Sequence, residues 1–301
     1  MTSRSKAGMK LRSHDRYPFE PIVSRRVAPW PDGKRLAVYV ALNLEIYAFG
    51  EGLKEDIVPG LGTPDVLNYS WNEYGNRVGA WRLLELFEEV GLTPTLSLNA
   101  LLCSTYPQIP DAFRKRGAAI VAHGRTNSES QADLPEDAER ELIHEARDGI
   151  ARYAGSVPRG WLGPWIAETE RTPDLLQEAG FSYLLDWCMD DQPVWMRTRQ
   201  GRILSVPYPQ ELNDSNAISW RRHDAGTFAD MIVAQYDEML RQSEGQPLVM
   251  PLALHAHVAG QPFRISALRP ALKHIAAQHA KTWVTTSDAI AEAFRAGDDK
   301  G

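Results

Sequence analysis

Leu36–Leu44 (LAVYVALNL) is nine residues long and almost wholly apolar, and it runs straight into Glu45. A run of this length, bounded by polar residues, predicts a strand buried on both faces, and such strands belong to sheets covered by helices. A second run, Ile120–Ala122, ends just as abruptly in His123-Gly124-Arg125-Thr126-Asn127. Buried strands that deliver polar side chains to one rim are how α/β enzymes build sites.

The pattern continues along the chain. Strands are expected at 36–44, 94–99, 118–122, 160–163, 183–186, 203–207, 248–254 and 282–284. Helices are expected at 78–90, 109–116, 136–153, 172–179, 228–242, 265–279 and 287–295, several of them closed by glycines such as Gly91, Gly117 and Gly180. About seven strand–helix repeats without a composition break predict one closed or nearly closed parallel barrel. The domain layout expected is an irregular arm over 1–35, where Pro18, Pro21, Pro29 and Pro31 discourage helix, and one barrel domain over 36–296. Residues 50–72, rich in glycine and proline, read as a long loop beside the first strand's end, of a length that usually carries function.

With 301 residues, 43% hydrophobic and 24% charged, the chain has the composition of a soluble globular protein. A net charge of −6 argues against nucleic acid as a partner. No apolar stretch approaches the roughly 20 residues that span a bilayer, and no secretory signal is expected at the N-terminus. Cys103 and Cys188 read as reduced core thiols of a cytoplasmic protein. There is no nucleophile elbow, no zincin helix, no phosphate loop and no dinucleotide fingerprint.

Asn43 and Glu45 stand two apart, so on a strand they share a face. The alternative for Glu45 is a simple ion pair with Arg77 or Arg125, but a carboxylate ending a buried strand is costly unless used. Gly124 permits a sharp turn that lets His123 and Asn127 converge. Trp161 and Trp165 flank Gly163-Pro164 as either an aromatic wall or core packing. Asp186 and Trp187 end another strand, where a carboxylate can orient a histidine or bind polar substrate groups. His255 follows the run Leu248–Leu254 directly and is the better candidate than His257.

Taken in order, Asn43-x-Glu45, His123-Gly-x-x-Asn127, Gly163-Pro164-Trp165 and Leu254-His255 resemble the polysaccharide deacetylase (NodB-homology) superfamily. Tyr74-Gly-x-Arg77-x-Gly-x-Trp81, Asp191-x-Pro193-x-Trp195, Pro207-Tyr208 and Asn213-Asp214 are similar to its allantoinase-like and cyclic-imidase-like branch. The resemblance covers about residues 35–290. It implies an α/β distorted (β/α)7-type barrel of one domain and hydrolysis of a carbon–nitrogen bond. In metal-dependent members the first motif supplies a base and a metal ligand, and the second supplies two metal-binding histidines. Those roles fall here on Asn43 for the base and on Glu45, His123 and Asn127 for the metal. An amide cannot accept a proton as a base, and it is a poor zinc ligand. The expectation is therefore hydrolysis that requires no cofactor, with a divalent metal such as zinc held at most loosely.

Glu45 or His123 would then be the base, and His255 the acid on the leaving nitrogen. Arg125, the Asn43 amide or a backbone N–H near Trp165 would stabilise the oxyanion. Asp186, Arg125, Trp161, Trp165 and Trp187 would shape the substrate pocket. The substrate expected is a small linear or cyclic amide, ureide or imide. The alternatives are metal-dependent N-deacetylation of a sugar, or an inactive barrel kept as a binding protein. Oligomeric state is not legible, which leaves room for a homo-oligomer.

Overall fold

A computed structural model describes residues 11–298. The first ten residues of the expected arm lie outside that range. Residues 11–35 hold only two single helical turns, Ile22–Ser24 and Pro31–Gly33. They are tied down by the Arg16 guanidinium on Asp174 (2.6 and 2.7 Å) and by the Trp30 indole N–H on the Leu248 carbonyl (2.9 Å).

Nine strands form a single sheet: β1 Leu36–Leu44, β2 Thr95–Leu98, β3 Ala119–Ala122, β4 Gly160–Trp161, β5 Tyr183–Leu184, β6 Val194–Thr198, β7 Gly201–Ser205, β8 Leu248–His255 and β9 Thr282–Thr285. The order is β6-β7-β5-β4-β3-β2-β1-β8, with β9 also against β1. Every pairing is parallel except the β6–β7 hairpin. This is the α/β, distorted (β/α)7-type barrel in one domain. Ten α-helices accompany it among the described residues: α1 Val66–Tyr74, α2 Ala80–Val90, α3 Ala100–Thr105, α4 Gln108–Arg114, α5 Glu136–Ala154, α6 Thr172–Glu178, α7 Ala225–Gln242, α8 Ala256–Ala259, α9 Pro262–Ala277 and α10 Ser287–Asp298.

β1 runs down the middle. Leu36–Asn43 pairs with β8, Leu36–Tyr39 with β9 and Ala41–Leu44 with β2. Side chains alternate across a strand, so each strand serves two layers. Val38, Val40, Leu42 and Leu44 join the main core under the helices, whereas Ala37, Tyr39 and Ala41 fill the inside of the barrel. Asn43 and Glu45 continue the inner series. In β8 the same split sends Met250, Leu252 and Leu254 outward, and Val249 and Ala253 inward.

The sheet curls into a barrel that strand pairing leaves open among the described residues: β6–β7 ends one side, and an isolated bridge joins Asn213 to Ala253 of β8. Two expectations need correction. The loop expected over 50–72 ends early, because Asp65 caps α1 by accepting from the Asn68 N–H (3.0 Å). Helix then runs on through a wide π turn, Gly75–Gly79, into α2. Cys188, expected in the core, is exposed.

Candidate active site

The C-terminal ends of β1, β3, β4, β5 and β8 open on a cavity of about 540 Å³. Its wall includes Asn43, Glu45, His123, Asn127, Trp165, Asp186 and His255, together with Tyr47, Glu55 and Tyr208.

Glu45 is the hub. Its Oε1 lies 3.5 Å from His123 Nε2 and 3.6 Å from His255 Nε2, and its Oε2 accepts from the Tyr47 hydroxyl (2.7 Å). The residue is 6% exposed. Burial would raise its pKa, but the charges of His255, His123 and His257 outweigh burial and bring it down to about 2. The Asn76 amide fixes the Glu45 backbone by donating to its carbonyl (2.8 Å). Asn76 sits in the π turn, an irregularity frequent at functional sites.

Each imidazole is oriented from behind. His123 Nδ1 lies 2.7 Å from the Leu162 carbonyl. A carbonyl only accepts, so Nδ1 carries hydrogen, which turns Nε2 toward Glu45. His255 Nδ1 lies 2.7 Å from Asp214 Oδ1, and Asp214 also accepts the backbone N–H of His255 and of Ala259. For His255, burial alone would lower the pKa, but Glu45 and Asp214 together raise it to about 9.

Asn43 and Asn127 depart from acid and imidazole roles in structure as well as in type. Asn43 donates to the Leu254 carbonyl and the Tyr208 hydroxyl (3.2 Å each), so its hydrogens are committed. Asn127 Oδ1 accepts from Asn99 Nδ2 (3.1 Å), while Asn99 also donates to the His123 carbonyl. Asn99 thus braces the second motif. At the three positions that the resemblance gives to a metal, Asn127 offers only an amide oxygen that already accepts from Asn99, a poorer zinc ligand than the imidazole of the motif.

The cavity's other wall is built on an unusual backbone. Trp165 and Ile166 both sit at positive φ (65° and 55°), a costly backbone for a bulky or β-branched residue. The Trp165 indole N–H donates to the Asn127 carbonyl (3.0 Å). Gly124, at φ 62°, allows the close approach of Pro164, whose Cγ would lie 2.5 Å from any Cβ there. Burial raises the Asp186 pKa to about 7. Its Oδ1 takes the Gly163 N–H (2.6 Å), while its Oδ2 has no hydrogen-bond partner.

Three expected pocket residues stand elsewhere. Arg125 turns away to Glu129 and Glu145, because its i+4 carboxylate lies within reach on the same loop. Trp161 is fully buried against Phe181, since β4 alternation points it to the outer layer and gives the inside to Leu162. Trp187 donates to Glu168 (2.7 Å) and stacks edgewise on His14 and Tyr17 under the arm. Tyr47, Glu55, Asn99, Tyr208 and Asp214 were not anticipated as site residues. A polar Asn213-Asp214 pair and Pro207-Tyr208 were visible, but nothing local tied them to His255.

A carboxylate between two oriented imidazoles, at the C-terminal rim of such a barrel, is an acid–base arrangement suited to hydrolysis. No family model matches the chain. It is 27% identical over 301 residues to a protein of Schizosaccharomyces pombe described as a polysaccharide deacetylase, covering 89% of this chain and 92% of that one. It is 21% identical to a peptidoglycan deacetylase of Helicobacter pylori, over 81% of this chain and 89% of the other. The fold is similar to that of PuuE allantoinase, with a TM-score of 0.83 and 26% identity, covering 93% of this chain and 98% of that one. A polysaccharide deacetylase of Pseudomonas aeruginosa PAO1 gives 0.82 and 26%, with the same coverage. In sequence and in fold the chain is thus similar to polysaccharide deacetylases and to PuuE allantoinase.

Proposed function

We propose that this protein hydrolyses a small linear or cyclic amide, ureide or imide without a required metal. One observation carries this reading: Glu45 is held between His123 and His255, with Asp214 behind His255. At neutral pH this gives an ionised carboxylate beside a protonated imidazole, the states a base and an acid need at the start of amide hydrolysis. The attacking water gives its proton to Glu45 Oε1 on the face that His123 Nε2 shares. The low pKa of Glu45 makes it a weak base alone, so His123 on the opposite side of that 3.5 Å gap is its partner.

As the tetrahedral intermediate forms, charge grows on the carbonyl oxygen. The Tyr208 hydroxyl is the donor we assign to it. Burial first, and the charge of Glu45 as well, keep that phenol protonated far above neutrality. His255 then delivers its Nε2 proton to the leaving nitrogen, and Asp214 stabilises the pair in both states. The amide-lined cavity, with Asn43, Asn127, Asn213, Asn216 and Gln210, suits a compact polar substrate. We place the reaction in the cytoplasm, on a small molecule. Similarity to PuuE allantoinase supports this reading.

A second reading, metal-dependent N-deacetylation of a sugar, draws on the names of the sequence relatives. The Asn127 oxygen bound to Asn99 weighs against it.

The experiment is a turnover screen over hydantoins, imides, allantoin and N-acetylated sugars, comparing wild type with Glu45→Gln. Removing the carboxylate should lower kcat about 10²–10⁴-fold on a small amide while the fold is retained. Near-normal turnover in the variant would place the base elsewhere.

A further inference from the structure

Beside the Glu45–His255 pair stands a second buried pair, Glu55 and His257, that the hydrolysis does not use. Glu55, from the loop after β1, lies with its Oε2 2.8 Å from His257 Nε2. Its Oε1 accepts from the Ser215 hydroxyl (2.8 Å), and its carbonyl accepts from the Asn72 amide (3.2 Å). Glu45, Glu55 and His257 each offer a donor atom within 4.8 Å of the other two, and all three residues are buried. They are the one trio of histidine, cysteine, aspartate or glutamate side chains with that convergence among the described residues.

The backbone is shaped to put His257 there. Gly75 and Gly79 in the π turn press on the start of α8: a Cβ on Gly75 would fall 2.7 Å from the His257 N, and one on Gly79 would fall 1.9 Å from the Ala256 carbonyl oxygen. Trp71 meets the His257 ring edge-on at 4.7 Å and Tyr47 does so at 6.4 Å, which limits the ring to one direction. Glu45 and Glu55 face the cavity, so the cluster has an entry path.

We propose that Glu45, Glu55 and His257 form a divalent-cation seat of zinc type, displaced from the Glu45, His123 and Asn127 positions that the superfamily would use. Two carboxylates and one imidazole, with a fourth position open to the cavity, make a donor set suited to zinc. The positions are prearranged, because the Glu55–His257 hydrogen bond already holds two of the three donors at ligand-to-ligand distance. Filling the seat engages the Glu45 carboxylate. The ion therefore acts as an inhibitor of metal-free hydrolysis, a consequence that rests on Glu45 serving as base.

Calorimetric titration of the full chain with zinc alone tests the seat, with circular dichroism to confirm folding. Wild type should bind one zinc. Glu55→Gln and His257→Asn should each weaken binding by about 10-fold or more, the scale on which even outer-shell partners matter. Asn127→Ala should leave zinc affinity unchanged. If His257→Asn does not fold, the near-isosteric Glu55→Gln decides alone. Absence of saturable binding in wild type overturns the seat, as does an affinity that falls with Asn127→Ala but not with Glu55→Gln. A separate rate measurement with zinc present tests the consequence. Zinc bound at this seat with undiminished turnover would leave the seat standing and refute Glu45 as the base.

Discussion

The two halves of the rim treat buried carboxylates in opposite ways. At the ends of β1 and β8, Glu45 is surrounded by imidazoles and Asp214 is matched to His255, so Glu45 is held ionised at a pKa of about 2. At the ends of β4 and β5, no cation stands close enough to offset burial. Asp186 rises to about 7, and Glu168 is pushed well above its usual range by burial and then by Asp186. Each of these two carboxyl groups keeps one oxygen without a partner. The first half stores charge that proton transfer can use. The second presents a carboxyl group close to neutral, able both to donate and to accept, which suits recognition of an amide or ureide edge.

Substitutions can break that contrast, beginning with the charged half. Asp214→Asn removes the negative charge behind His255 and with it one cause of its raised pKa. We expect kcat to fall by about 10²-fold or more, as for loss of an acid–base group. In wild type, kcat/KM should decline as pH rises through about 9, where His255 loses its proton. In Asp214→Asn that decline should move to lower pH. An unmoved limb would mean that another group supplies the proton.

The uncompensated half should answer in stability. The Asp186 pKa is raised on folding, so its contribution is complete below the ordinary value of 3.8 and is lost as pH rises toward and past about 7. Wild type should therefore lose Tm across that window, and Asp186→Asn should flatten the loss and raise Tm at pH 8. Tm measured against pH for both proteins checks this, and parallel curves would show that Asp186 does not titrate as described.

Arg125→Ala should have the smallest effect, because its partners Glu129 and Glu145 lie in exposed or half-exposed positions. We expect unchanged KM and a stability cost under about 1 kcal/mol by thermal denaturation. A marked rise in KM would return Arg125 to the pocket.

What was legible in the sequence follows the same division. Glu45 could be found because a carboxylate ending nine buried residues has few bland explanations, and strand alternation fixed its face. His123 and His255 stood out for the same reason, directly after apolar runs. Asp214 and Glu55 did not, because each lies in an irregular segment and meets its histidine across 41 and 202 residues respectively. Trp161 and Arg125 were misplaced by residue type: alternation along β4 and the nearby Glu129 decided their directions, and both were local facts that could have been weighed. The helix over Val66–Tyr74 was hidden by the glycines and prolines before it, although Asp65 three residues before Asn68 is a capping arrangement.

The most direct test of the account is the rate of the purified protein on its best small amide after exhaustive dialysis against a chelator, followed by addition of one equivalent of zinc. We predict full activity in the chelated protein and a loss on adding zinc. Activity abolished by chelation and restored by zinc would contradict metal-free hydrolysis by Glu45 and His255.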